Sequence, residues 1–253
     1  MRLSTGLINK LTDTYSLRDA LAGFVLDVYA GVQPTLPDIS ASGSKLVVVT
    51  DNSGAYTPET ASVGSITVTG TSGSFTAVTV NTIDILGGTV AYAVGIPETA
   101  TALALQINRN PKNHLFTAST TGSSGVVTLT SVNGLGTLPN TWVVASTGTC
   151  TATYGNMASG VNSVNGLFWD MAVGGVISKI ASTTWSGVAL VSGTAGWFRI
   201  RGGADDGTGT STTAVRIDGT ISTSGADMNL GSLVLTAAAP FLVPTAAITL
   251  PQQ

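Results

Sequence analysis

Apolar and polar residues alternate with period two in short runs over most of this chain, and Gly, Asn or Pro ends each run. That is the pattern of half-buried β-strands joined by tight turns. Phe24, Leu26 and Val28 alternate with Val25, Asp27 and Tyr29 until Gly31, Pro34 and Pro37 break the period, and Lys45 to Thr50 is the next strand. Ile66 to Gly70 and Ala77 to Val80 repeat the alternation on either side of a Gly/Ser turn and predict a hairpin. Ile83 to Leu86 precedes a Gly87-Gly88 turn, and Phe116 to Thr120, Val126 to Thr130 and Trp142 to Ser146 add strands. From Gly166 onward the strand-like runs are Leu167 to Trp169, Val188 to Val191, Trp197 to Arg201, Val215 to Ile217, Leu233 to Leu235 and Ala247 to Leu250.

Three segments break this period. Ser16 with Asp19 resembles a capping box, and Leu17, Ala20, Leu21 and Phe24 share a helical stripe, which predicts a helix near 16–23. Pro97-Glu98 opens a segment with Ala100, Leu103, Ala104 and Ile107 at helical spacing, ending between Asn108 and Pro111. Leu3, Leu7 and Leu11 recur at every fourth position, a short stripe that gains order only by docking, either on a neighbouring subunit as an assembly element or on the chain's own core.

The fold class is therefore mainly β, a β-sandwich or jelly-roll-like domain with a short N-terminal helix and an inserted small α+β domain. Residues 24–59 alone hold too few strands to bury a core. The expected division is 1–59 plus 163–253 for the sandwich and 60–162 for the insert, whose single helix covers a sheet face. In an insertion the ends near Thr60 and Asn162 lie close together.

Composition changes the picture from fold to role. The chain has 253 residues and only 9% charged side chains, where about 25% is usual for a soluble domain. No Asp, Glu, Lys or Arg occurs between Lys112 and Asp170, nor after Asp227, and mean hydropathy is +0.38. Surfaces of that kind point to contact with neighbours in an assembly. A net charge of -3 gives no long-range attraction for nucleic acid or anionic lipid, so neither is an expected partner. No apolar h-region follows Arg2 before Asp13, and no apolar stretch approaches the ~20 residues of a membrane span, which predicts neither general secretion nor membrane insertion.

Candidate chemistry is sparse. Cys150 is the only cysteine, cannot form an internal disulfide, and in its Thr-Cys-Thr setting reads as a small strand residue with no basic neighbour to activate it. His114, the only histidine, reads as a loop residue, and one His with one Cys cannot build a zinc site. Asp205-Asp206 within a Gly-rich stretch could offer oxygens to calcium but reads first as a hairpin tip, and Gly202-Gly203 lacks the Lys and Ser/Thr of a phosphate cradle. Among Trp142, Trp169, Trp185 and Trp197, core packing is the leading role, with Trp185 the expected exposed one if a sugar-stacking platform exists. Arg199 and Arg201 alternate with Phe198 and Ile200, so both project from one sheet face and pair with acids across strands. Asp84, Glu98 and Asp170 do not suggest the paired carboxylates of a glycosidase. No catalytic, cofactor-binding or metal residue is assigned, and no cofactor is expected.

Arg2-Leu3-Ser4-Thr5-Gly6-Leu7, Val28 to Pro34, Ala195 to Arg199, Arg216 to Thr220 and Gly225 to Leu230 resemble a family of tailed-bacteriophage virion proteins. Gly64 to Gly70 and Ala102 to Asn108 are similar to an inserted domain that recurs in phage structural proteins. The resemblance implies a non-enzymatic virion component present in multiple copies, assembled in the bacterial host cytoplasm. The expected station is the head-to-tail neck, as a collar around the connector, with capsid decoration, tail or baseplate attachment, or a glycan-binding host-recognition module as alternatives. Its implied partners are other virion proteins, connector or portal-adaptor, capsid or tail, and copies of itself in a ring or multimer.

Overall fold

The computed structural model describes residues 1–13, 16–202, 205 and 207–249, which are mainly β. The chain divides into two compact units, Met1–Glu59 with Ser163–Gln253, and Thr60–Asn162.

The first unit is built on a nine-stranded sheet. Its path runs Arg2–Leu3, Arg216–Ser222, Gly193–Arg201, Val25–Ala30, Lys45–Asp51, Trp185–Val188, Pro240–Val243, with Met228–Asn229 and Val234–Leu235 as short side branches. Every pairing along that path is antiparallel. The alternation read from the sequence sets two faces. On one, Leu26 and Val28, Phe198 and Ile200, and Ile217 and Ile221 enter a single core. Phe241 and Val243, from the far end of the path, belong to that same core, so the sheet curls until its two ends share one interior and the unit is sandwich-like. The ribbon of Val176–Ser178 and Ala247–Thr249 adds Ile177 and Ile248 to it.

The other face carries Asp27, Tyr29, Trp197, Arg199, Arg216 and Asp218, and it too is buried. Its cover is loop: the carbonyls of Pro37, Ile39 and Ser42 accept hydrogen bonds from Arg216, Arg199 and Trp197, and those of Gly207 and Gly209 accept from Arg199 and Arg216.

The N-terminal leucines dock on the chain's own core. Leu3 lies in a strand, opposite Ile217, and the helix begins only at Thr5, running to Asp13. Ser4 caps it, accepting from the Leu7 N–H at 3.1 Å, and is itself tied to the sheet by the Arg216 N–H at 2.9 Å. A Cβ on Gly6 would stand 2.4 Å from the Thr213 carbonyl oxygen, so the helix approaches that segment as closely as only glycine allows. Leu7 is fully buried and Leu11 packs at the core's edge. The helix expected over 16–23 is shorter, Leu17–Ala20, with Ser16 accepting from the Asp19 N–H, because the chain turns through Gly23 at φ +70 into the sheet.

In the second unit two four-stranded sheets enclose one core with the helix Ile96–Arg109. One sheet orders Ala152–Ala158, Val63–Val68, Val126–Ser131, Phe116–Thr120. The other has Ser74–Val80 flanked by Val144–Gly148 and Ile83–Asp84, with Val90–Ala91 also on it. The predicted hairpin therefore does not form: Val63–Val68 and Ser74–Val80 belong to different sheets, and the Gly/Ser segment between them carries the chain across the sandwich. Gly73, at φ +90, makes that turn. The local hairpin falls one strand later, where Asn81 and Thr82, both at positive φ, join Val80 to Ile83.

The helix has the predicted stripe, with Ala100, Leu103, Ala104 and Ile107 buried, and has Glu98 in its first turn and Arg109 in its last, as the helix dipole favours. Asn108 exchanges two 2.8 Å hydrogen bonds with the Ala118 backbone, closing part of the sheet's edge. Thr60 and Val161 exchange backbone hydrogen bonds, so the two ends of this unit are adjacent.

Strands differ from the sequence reading elsewhere for the same reason, that pairing partners rather than local apolarity set their bounds. Leu167 to Trp169 forms isolated bridges only, the run at Val188 to Val191 is replaced by Trp185–Val188, and Leu250 lies outside the described residues.

Candidate functional site

Among the described residues, buried ionisable side chains gather on the covered face of the first unit. In the register of the three central strands, Arg199 stands opposite Asp218 on one side and Asp27 on the other, and Arg201 opposite Arg216. Alternation puts all of them on one face, as read from Phe198 and Ile200 pointing the other way. Arg199 donates to both Asp218 oxygens at 2.7 Å, with both side chains fully buried. Arg201 and Lys45 each meet Asp27 at 2.7 Å. Arg216 donates to both oxygens of Asp205 at 2.6 and 2.7 Å, which drives a loop residue down onto the sheet. The guanidinium protons left over go to the loop carbonyls already named. Tyr29 and Trp197 stack beside them at 4.4 Å, and Arg199 lies over the Trp197 ring.

Every named charge there has an opposite charge or a carbonyl, so the arrangement clamps two loops to a sheet. Burial raises the Asp205 carboxyl, but hydrogen bonds from Arg216 and the Gly207 N–H, with the charges of Arg216 and Arg201, outweigh it and hold the pKa below the usual value. Burial, then the Asp27 carboxylate, pushes the Tyr29 hydroxyl well up, and it stays protonated as a donor to Asp27. The calcium reading of Asp205-Asp206 finds Asp205 committed to Arg216; Asp206 and Gly203 lie outside the described residues. Among the described residues no group of three or more His, Cys, Asp or Glu is placed to hold a metal ion.

The remaining candidates are scattered. His114 is an exposed loop residue of the second unit. Cys150 is buried there, and burial raises its thiol pKa. Asp84 accepts from the Leu86 N–H, Glu98 sits in the helix's first turn, and Asp170 accepts from the Met171 N–H. Trp185, expected as the exposed tryptophan, is 1% exposed: it packs edge-to-face on Trp169 at 4.8 Å beneath the curled sheet. Trp185 follows Ser182-Thr183-Thr184 yet starts a strand in which 185 and 187 are the buried positions. Trp142 is half-buried against Phe116.

Sequence reasoning missed one concavity. In the first unit lies a cavity of about 710 Å³ lined by Leu26, Phe198 and Ile200 of the central strands, Leu242 of the last strand in the path, Ile248, and the edge-to-face pair Trp169 and Trp185. The signal was dispersed over strands far apart in sequence, and only the curl collects it.

No family model, no curated protein and no solved structure matches this chain. No helix among the described residues is long and apolar enough to cross a membrane.

Proposed function

We propose that this chain is a non-enzymatic structural subunit of a tailed-phage virion, present in multiple copies at the head-to-tail neck. The observation that carries the reading is an inversion of the ordinary surface. Asp27, Arg199, Arg216 and Asp218 are at most 1% exposed, whereas Val32, Val94, Val173 and Val234 are 83, 94, 78 and 68% exposed. A chain with 9% charge that turns several of its charges inward leaves a neutral, apolar-studded exterior. Such an exterior is stable when copies of the chain or connector, capsid or tail proteins cover it. The loop clamp supports this role, since a subunit surface made of loops holds its shape in an assembly only if the loops are fixed. The sequence resemblance to virion proteins points the same way.

Gold-labelled antibodies against the chain, imaged on purified particles, test the station. Labels at the junction of head and tail are the expected result; labels spread over the capsid or at the tail tip move the protein there, and unlabelled particles reject the reading.

A further inference from the structure

We propose that Asn108 and Asn113 guard one edge of the second unit against strand pairing with a second copy of the chain. This does not rest on the virion reading. The strand Phe116–Thr120 ends the order of its sheet, and no strand lies on its far side among the described residues. An edge of that kind offers a row of backbone N–H and C=O groups to any other strand, and proteins ordinarily blunt it with charged side chains, Lys above all, or with proline. Phe-Thr-Ala-Ser-Thr has neither, and no Asp, Glu, Lys or Arg occurs from Asn113 to Trp169. The conventional guards are missing where this edge needs them.

Two side-chain amides take their place. Asn108, in the helix, accepts from the Ala118 N–H and donates to the Ala118 carbonyl, both at 2.8 Å. Asn113 accepts from the Phe116 N–H at 3.2 Å and donates to the Phe116 carbonyl at 2.9 Å, while a further bond to the Ile107 carbonyl holds it to the helix. A carboxamide carries a donor and an acceptor as a peptide group does, so each asparagine fills both sites of one residue as a neighbouring strand would. Asn140 makes the same exchange with Gly160, at 2.8 and 2.9 Å, just past the strand Ala152–Ala158 that ends the sheet's other side. Because Phe116 and Ala118 both turn their backbone groups to these amides, alternation turns those of Thr120 outward as well. A second copy laid antiparallel about a two-fold axis at Ala118 would set Phe116 against the partner's Thr120 and Ala118 against the partner's Ala118. The bared strand is therefore its own complement.

The test reads this edge alone, on the full chain. Thr117 and Ser119 are exposed, and in the two-fold register each falls opposite the other's position in the second copy. Chains carrying Thr117→Cys are mixed with chains carrying Ser119→Cys under mild oxidation, and intact mass measures the disulfide between the two; Cys150 is buried. Asn108 is exposed in its helix, where alanine is the better helix former, so Asn108→Ala keeps the fold while baring Ala118. It should raise the yield at least about tenfold over chains that keep Asn108. Asn108→Lys loses the same two hydrogen bonds but returns a charge to the edge, and it should stay at the low yield of the unaltered edge; a merely structural role for Asn108 would make the two variants alike. Asn108→Ser, which cannot fill both backbone sites, takes the place of Asn108→Ala should that variant fail to fold. Equal yields from the folded opening variant and from chains that keep Asn108, equal yields from the opening variant and Asn108→Lys, or abundant disulfide in chains that keep Asn108 would each overturn the proposal.

Discussion

Arg199 and Asp218 face each other at paired positions of neighbouring strands, fully buried and joined by two 2.7 Å hydrogen bonds. A buried pair of this kind contributes little against a well-packed apolar substitute, but losing one partner leaves a bare charge in the interior. Asp218→Asn should therefore destabilise the first unit by about 3–5 kcal/mol. Arg199→Met with Asp218→Leu together should recover much of that loss. Urea unfolding followed by tryptophan emission checks both, Trp169, Trp185 and Trp197 being in this unit. A single variant as stable as the parent would show that this pair does not hold the face together.

Acid should loosen the same face through Asp205, whose folded pKa lies below its unfolded value. Between those two values the unfolded chain binds more protons, so stability rises with pH through the window and is lost as pH falls through the folded pKa. The urea midpoint should drop on acidification below about pH 4. The drop should be smaller in Asp205→Asn; identical pH profiles for the two proteins would contradict the assignment.

Leu7 is fully buried beneath the N-terminal helix, and Leu7→Ala should cost about 2–5 kcal/mol of stability in the first unit. Deleting residues 1–13 should go further and unfold that unit, because Leu3 and Ser4 also bond the strand at Arg216–Ser222. A truncated chain with unchanged thermal unfolding would instead make the segment an assembly arm.

Because Thr60 and Val161 pair backbone to backbone, replacing 61–161 by a short Gly/Ser linker should leave the first unit folded. Retained cooperative melting of the shortened chain is the expected result, and a non-cooperative melt would contradict the independence of the two units.

The raised thiol pKa and burial of Cys150 should make it inert to iodoacetamide at pH 7.5 in the native chain and reactive in urea. Rapid native labelling would place it on an accessible surface.

What the sequence made legible was local. The stripe of Ala100, Leu103, Ala104 and Ile107 specified the helix, and the alternation of Phe198 and Ile200 with Arg199 and Arg201 specified both a core face and cross-strand ion pairs. Long-range pairing was not legible. Two alternating runs beside a Gly/Ser turn look like a hairpin, yet Ile66 pairs with Val127 and Tyr154, far along the chain. The strand Ala152–Ala158 escaped notice because most of its residues stay exposed or half-exposed and it lacks an apolar period. Trp185 was misplaced because its neighbours are turn formers, while its burial depends on Val243 and Asp51 across two strand pairings. The cavity was invisible for the same reason.

Quantitative mass spectrometry of purified virions decides whether this chain is a structural subunit in multiple copies. A fixed, multi-copy ratio to the particle's connector protein is the expected result; particles that lack the chain, or carry it only in trace, variable amounts, would overturn the proposal.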